Sequence, residues 1–454
     1  MASFVPTPGG HAIASWAFRS LRRCDRARPP LRINLTMPSE PTETDTAVTD
    51  DRVGPMGTAD VGTAVAATPD DVLFVRSADA AFQVVTLSAN GERVQVRDGV
   101  ETAPAGARVL SGPPAIGGGP VTVVCSTKSG QGRASTVYRD AVGPLLRALD
   151  VAHTVVETTS AEHVAEIARG LGTGPQTLVV LSGDTSVHEL INNVEAGDTL
   201  RLCVIPTGSG NALLTSLGAT VRSAVAALVF GTVRPLSAFS VVLPPGTREA
   251  QPETETTPYR VLPPVAEPVQ VYALVVASWA IHAALVGDSD TPEYRKLGNA
   301  RFAKAAQENL ARNEPWRGSI AYTPVGGGPA ETVPGTEHSY VLLTGISSLE
   351  PGFVVAPDAV PLSGRFWFVH MGFLPGDEIM EVLMKAYKGG EHVHDPRTFY
   401  KEVDGLEVTV AAGEPDRMRR WCVDGRIFVS GEGAPVRVLK GGPTVRGRPV
   451  ELLA

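Results

Sequence analysis

Apolar runs of four or five residues alternate with amphipathic stretches in the first half of the chain and with Pro/Gly-rich breaks in the second. Val121–Val124, Thr154–Glu157, Thr177–Leu181 and Leu202–Ile205 are short and bounded by turn residues. Most are apolar throughout, the pattern of strands buried on both faces. Helical spacing lies between them, over about Ala134–Leu149 and Ala161–Leu171, and Thr159 with Glu162 has the spacing of a capping box. Strands alternating with helices predict a parallel sheet over roughly 118–235.

After Pro235 the helical period gives way to strands: Leu236–Leu243, Val269–Ser278, Ile320–Tyr322, Tyr340–Gly345, Arg365–Val369, Leu406–Val410 and Trp421–Val429. Two helices interrupt them, at about Gly298–Arg312 and Asp377–Tyr387. Residues 236–454 therefore predict a second, mostly antiparallel β domain. Upstream, Val72–Arg76, Phe82–Leu87 and Arg93–Arg97, with an Asn90-Gly91 turn, predict a small β unit over 72–110.

Residues 1–71 carry no such pattern and read as tail and linker. Residues 1–36 hold six Arg, no Lys and one acid, the composition of a mitochondrial transit peptide, of a plain tail, or of sequence upstream of a true start at Met37. Residues 37–71 invert the charge, with eight acids and one Arg. The net charge of −8 gives no sign of a nucleic-acid partner. Four cysteines, at 24, 125, 203 and 422, lie too far apart for a disulfide framework or a metal knuckle. Val269–Gly287 is the most apolar stretch, but Gln270, Ser278 and His282 interrupt it. A buried strand is the expectation there, and no transmembrane span. His392-Val393-His394-Asp395 offers two histidines and no third ligand, so no metal site is expected. Met371, Met380 and Met384, with Phe373, Leu374 and Ile379, read as core packing or as a wall for a lipid chain.

Three strands each run into a glycine turn and then a helix-like stretch: Cys125–Ala134, Ser182–Glu189 and Ile205–Asn211. Such turns place backbone amides and helix N-termini on one edge of a sheet, where they bind anions, typically phosphate. A tight strand–helix connection needs glycine too, so each turn alone is open to both readings. Asp184, after a strand and Gly183, is placed either to accept a proton or to cap the following helix.

Four blocks together resemble the diacylglycerol kinase and sphingosine kinase family of lipid kinases. They are Ser126-Thr127-Lys128-Ser129-Gly130-Gln131-Gly132, Ser182-Gly183-Asp184-Thr185-Ser186-Val187-His188-Glu189, Pro206-Thr207-Gly208-Ser209-Gly210-Asn211-Ala212-Leu213, and Tyr294-Arg295-Lys296-Leu297-Gly298 with Arg301-Phe302. The resemblance implies an N-terminal α/β nucleotide-binding lobe, a β-sandwich lobe after it, and an active site in the cleft between. It implies ATP and Mg2+ as cofactors and a membrane-lipid hydroxyl as acceptor, with the chain cytoplasmic and peripheral at membranes. It implies Asp184 as general base. Nucleotide contacts fall to Ser126, Thr127, Lys128, Gly130, Gly132, Thr158, Gly183, Gly208, Ser209, Gly210, Asn211, Arg295, Arg301, Asp424 and Gly425. Substrate contacts fall to Ser182 and Asp288. Five positions depart from the family pattern: Ser126 replaces Asn, Thr127 replaces Pro, Gln131 replaces Lys, Thr185 replaces Gly and Arg426 replaces Glu. Lys128 and Arg133 flank the first loop as substitute cations. These departures keep open a catalytically impaired descendant that binds lipid or nucleotide. A soluble-substrate kinase of the NAD kinase type shares the Gly-Asp logic. In sphingosine kinases a carboxylate beyond the Ser-Trp block pairs with the lipid amine; counting from Trp279 places it at Ala283 or Ala284. A neutral headgroup is the resulting expectation, because an ammonium buried without a counter-ion is costly.

Overall fold

The computed structural model describes residues 72–454 apart from 79–80, 118–119, 161, 252–259, 262–263 and 299. The expected tail and linker over 1–71 lie outside the described residues.

Val72–Ala78 (β1), Ala81–Leu87 (β2) and Val94–Val100 (β3) form the predicted antiparallel β unit. The parallel lobe follows in chain order. It comprises Val121–Cys125 (β4), a continuous helical run through Ala134–Val137, Tyr138–Val142 and Gly143–Ala148 (together α1), His153–Glu157 (β5) and His163–Arg169 (α2). Gln176–Ser182 (β6), Asp184–Asn193 (α3), Leu200–Pro206 (β7), Ala212–Ser216 (α4) and Val221–Phe230 (α5) complete it. Strands β4, β6 and β7 bury both faces, whereas β5, at the sheet edge, has no buried residue. Leu178, Val180, Leu202 and Val204 pack with α2 and α3. Val179, Leu181, Cys203 and Ile205 pack with α1, α5 and the β unit's Phe74, Val85 and Leu87.

The capping box expected at Thr159 and Glu162 does not form. Glu162 precedes α2 without a side-chain cap, and Thr159 instead bonds His163 Nδ1 through its amide at 3.1 Å.

The second lobe is one antiparallel sheet of curled strands. Its main elements are Phe239–Leu243 (β8), Val269–Ala273 (β9), Val276–Ala280 (β10), Ile281–Ser289 (α6) and Ala300–Arg312 (α7). Trp316–Pro324 (β11), Glu337–Thr344 (β12), Phe366–Gly372 (β13), Gly376–Met384 (α8) and Phe399–Val410 (β14) follow. Then come Arg420–Val423 (β15), Arg426–Val429 (β16), Val436–Leu439 (β17) and Arg448–Leu453 (β18).

The apolar run Val269–Gly287 is neither one strand nor a span. The amides of Leu274, Val275 and Val276 donate to the Asp424 carboxylate instead of a strand ladder. This breaks the run into β9, paired with β8, and β10, paired with β12 and β15. Ala280, at φ 67°, then turns the chain into α6. Among the described residues no helix is long and apolar enough to cross a membrane.

A second difference concerns the domain boundary at 236–454. β18 returns to the first lobe and pairs in parallel with β7, giving a parallel order β18–β7–β6–β4–β5. Arg448, fully buried, donates to the carbonyls of Asp198, Gly172 and Gly174 and pins it there. His392-Val393-His394 forms a short 3₁₀ turn rather than a strand, and His392 Nε2 meets the Val355 carbonyl at 3.1 Å. The two lobes share a core. Leu274, Val276, Tyr340, Leu342 and Met371 pack with Val187, Leu190, Ile191 and Leu213.

Candidate functional site

The three glycine turns converge at the C-terminal edge of the parallel sheet, and their backbones touch. A Cβ on Gly130 would fall 2.3 Å from the Thr207 carbonyl oxygen. One on Gly183 would fall 2.3 Å from that of Gly210, and one on Gly208 would fall 2.5 Å from the Gly183 nitrogen. Loop–loop packing therefore demands these three glycines. Gly210 is different. It is exposed, and a Cβ there would meet only Asp184 Oδ2, at 3.9 Å. The amides of Lys128, Gly130 and Gln131 in the first turn, and of Ser209 and Gly210 in the third, make no hydrogen bond among the described residues. They are donors without an acceptor, next to open space.

Side chains tie the turns together beneath. Ser182 Oγ lies 2.6 Å from Ser186 Oγ and 3.4 Å from Ser129 Oγ, and Ser126 Oγ lies 3.3 Å from Ser186 Oγ. Ser182 and Ser126 are buried in this hydroxyl cluster. Thr127 Oγ1 donates to the Thr158 carbonyl at 2.7 Å, which holds the first turn to the end of β5. Asn211 Nδ2 closes the third turn on the Gly208 carbonyl at 2.6 Å. Lys128 is exposed and makes no ion pair among the described residues. Arg133 is engaged by Glu92 of the β unit, so it is not a free cation of the loop.

Asp184 opens α3, but the N-cap position is Gly183, without a side-chain bond. The carboxylate caps a different helix. It accepts from Ala212 N at 2.5 Å and Leu213 N at 3.3 Å, the first amides of α4. The helix N-terminus expected to receive phosphate is thus occupied by Asp184. Burial pushes the Asp184 carboxyl up to about 6; the two amides work against this, and the neighbouring Asp424 charge adds to it.

Asp424 and Gly425 form the two-residue turn between β15 and β16, with φ 47° and 89°. Positive φ at both positions is the geometry that Asp-Gly favours in hairpins. A Cβ on Gly425 would lie 3.2 Å from Thr185 Oγ1, so this turn closes directly over the start of α3. The Asp424 carboxylate is spent on the amides of Leu274, Val275 and Val276, at 2.7 to 2.9 Å. His188 Nδ1 lies 3.7 Å from it and has no hydrogen bond.

The arginine block is folded around Asp290. Arg295 donates through Nε and Nη2 at 3.0 Å each, and Arg301 donates through Nη1 at 3.2 Å. Burial lowers the Arg301 guanidinium from its ordinary value, with Asp290 opposing. Asp288, expected to face substrate, is instead held by Arg420 at 2.6 Å, Arg312 at 3.2 Å and Asn309 at 3.0 Å. Burial works to raise its carboxyl, but Arg420 and Asn309 outweigh it and hold it below the usual carboxylate value. Ala283 and Ala284 are fully buried in the core.

Sequence reasoning missed a polar island on the lobe-facing side of β10. Ser278 Oγ meets His282 Nδ1 at 2.7 Å, and burial pulls His282 down to about 4. Among the described residues the buried Tyr340 hydroxyl has no partner, and its ring stands 6.2 Å from the His282 ring. The only available signal was the four-residue spacing of Ser278 and His282.

Residues 120–241 match the diacylglycerol kinase catalytic domain. Human sphingosine kinase 1 is 27% identical over 224 residues, covering 45% of this chain and 52% of that protein. Sphingoid long-chain bases kinase 1 of Arabidopsis thaliana is 29% identical over 131 residues, covering 26% of this chain and 17% of that protein. The chain spans about half the length of the sphingosine kinase 1 sequences it matches. Among solved structures, a protein of Bacillus anthracis str. Sterne described as a candidate diacylglycerol kinase superposes with a TM-score of 0.50 at 17% identity. That match covers 74% of this chain and 94% of the other, and it shows a shared fold.

Proposed function

Because residues 120–241 match the diacylglycerol kinase catalytic domain, we propose that this chain is an ATP-dependent lipid kinase. It transfers the γ-phosphate of ATP to a hydroxyl of a membrane lipid. The observation that carries the reading is Gly210: exposed, unneeded for packing and beside unpartnered amides, where an added Cβ would come no closer than 3.9 Å to anything but its own chain neighbours, and there only to the Asp184 carboxylate. Phosphoryl transfer asks for phosphates held, charge neutralised and an acceptor hydroxyl aimed in line. The amides of Lys128, Gly130, Gln131, Ser209 and Gly210 hold phosphate oxygens. Arg295 and Arg301 supply charge. Asp184 takes the proton of the lipid hydroxyl as its oxygen bonds to the γ-phosphorus and ADP leaves. The bilayer is met peripherally.

Magnesium commonly takes one or two carboxylates together with substrate phosphates. Here the carboxylates of Asp184 and Asp424 both accept backbone amides, and no group of three His, Cys, Asp or Glu among the described residues could hold a metal. The residues present do not build a Mg2+ site, and no step is assigned to the metal.

The test is labelled ATP with a total lipid extract, followed by identification of the labelled product. ATP binding without turnover would favour an impaired descendant, a reading supported by the Asp184 carboxylate's contacts with Ala212 and Leu213. At the arginine block, Arg301→Lys keeps charge but loses the bidentate fork. Kinetics should show weaker ATP use for the Lys variant and much weaker for Arg301→Ala. Equal kinetics for all three proteins would remove Arg301 from the site.

Two acceptor classes are each favoured by an observation. The curated relatives are named for sphingosine and sphingoid bases. Against a cationic headgroup, Asp288 is already neutralised by Arg420 and Arg312, and Asp290 by Arg295 and Arg301. Neutral lipids should therefore outperform sphingosine when sphingosine, ceramide and diacylglycerol are compared in matched mixed micelles. Clear selectivity for sphingosine would overturn this, and Asp288→Asn would then show whether that carboxylate changes partner.

A further inference from the structure

Helix α3 belongs by sequence to the α/β lobe, yet one stripe of it is bound to the β lobe. Thr185 abuts Gly425, His188 faces Asp424 and Glu189 pairs with Arg426. Asn192 exchanges hydrogen bonds with the main chain of Tyr272, at 2.8 Å in each direction. These four positions follow the i, i+3, i+4, i+7 spacing of one helix face.

Arg426 is the charged member of the stripe. Its Nη1 lies 3.2 Å from Glu189 Oε1 on α3, and its Nη2 bonds Glu249 on the strand Arg248–Gln251 of its own lobe. The side chain is only 18% exposed, and that of Glu189 14%. Burial opposes the charge, but Glu189, Glu249 and, more distantly, Glu162 outweigh it and raise the guanidinium above its ordinary value. A buried pair of this kind is strongly damaged when one partner is removed, because the other is left unpaired. Glu189 stands five residues from Asp184 on the same ten-residue helix. We infer that Arg426 is a positioning residue: by clamping Glu189 between the lobes it fixes α3, and through it Asp184, against the second lobe. Position 426 carries Glu in the family pattern, which would face Glu189 with like charge; Arg makes the clamp.

The inference rests on Asp184 as the base, so its test reads both turnover and helix order. Arg426→Glu brings a third carboxylate beside Glu189 and Glu249. It should lower kcat about tenfold or more, as small misplacements of reacting groups do, with KM for ATP little changed. Glu189→Arg should do the same. The double variant Arg426→Glu/Glu189→Arg restores the 189–426 ion pair in reversed sense while leaving Glu249 beside a new carboxylate, so it should recover part of the kcat lost in each single variant, the coupling expected of residues in contact. Hydrogen exchange over Asp184–Asn193 should accelerate in both single variants and slow again in the double. Unchanged exchange in the single variants would overturn the clamp, whether or not the wild type phosphorylates lipid. Normal kcat in single variants whose exchange has accelerated would overturn the positioning role. So would recovery of exchange in the double variant without recovery of kcat. A wild-type protein with no turnover whose exchange responds as expected would instead sink the kinase reading and leave the clamp standing.

Discussion

Asp184→Asn is expected to lower kcat by about 10²- to 10⁴-fold, the range of positioned proton transfer, with ATP affinity near that of the wild type. The substitution is nearly isosteric, and the side-chain oxygen can still accept the Ala212 amide at the start of α4. The new NH2 faces the Leu213 amide, which formerly donated at 3.3 Å. This misfit is local to α4 and does not reach the packed glycines. The pH profile supplies an independent reading. A base whose pKa has risen to about 6 must lose its proton to act, so turnover should climb with pH through that value. The same shift has a sign for stability. A carboxyl whose pKa lies higher in the folded than in the unfolded protein binds its proton more tightly when folded. It contributes nothing against the fold below the ordinary value of 3.8; its penalty enters as pH rises toward about 6 and is complete above. Asp184→Asn should flatten that part of the stability curve. Near-normal turnover in the variant, or a rate profile flat between pH 5 and 7 (about one unit either side of the expected pKa), would remove Asp184 from the chemistry.

The second large effect separates two glycines that sit two residues apart. Gly210→Asp should abolish nucleotide binding while the protein stays folded, because the added side chain enters open space and places a carboxylate where phosphate is expected. Gly208→Ala should act in the opposite way. Its Cβ would strike the Gly183 backbone at 2.5 Å, so the variant should lose stability. Overpacking of this kind commonly costs about 1–3 kcal/mol. Calorimetric titration with ATP, paired with thermal unfolding, reads both. A folded Gly210→Asp protein with wild-type ATP affinity would make the third turn a purely structural connection.

Much of this architecture was legible in the chain. Strands β4, β6 and β7 are buried on both faces and so are apolar nearly throughout, and the helices between them announce the parallel order. The glycine turns were legible as turns, but their division of labour was not. Gly208 and Gly210 are alike in sequence, and only the approach of Gly183 tells the packed one from the open one. Long-range partners were equally hidden. Nothing near Val269–Ser278 shows that Asp424, about 150 residues later, takes the amides of Leu274 to Val276 and splits the run in two. The capping alternative for Asp184 concerned the helix that follows it, α3; its carboxylate instead serves α4, which only the tertiary fold brings to it. Asp288 looked available because its partners Arg312 and Arg420 come from other elements. The position that the count assigns to a headgroup carboxylate holds Ala283 or Ala284, both on the buried side of helix α6.

The return of β18 to the first lobe has a consequence for how the polypeptide is made. β7 leaves one edge of the parallel sheet unpaired until Val450, Glu451 and Leu452 arrive from about 250 residues downstream. At roughly 5–20 residues per second of synthesis, that edge waits about 12–50 seconds beside the ribosome. Unpaired strand edges are templates for association with other chains. The α/β lobe therefore emerges early as a nascent domain but cannot complete its sheet until about 250 further residues have been made, and the open β7 edge is available for association with other chains during that interval.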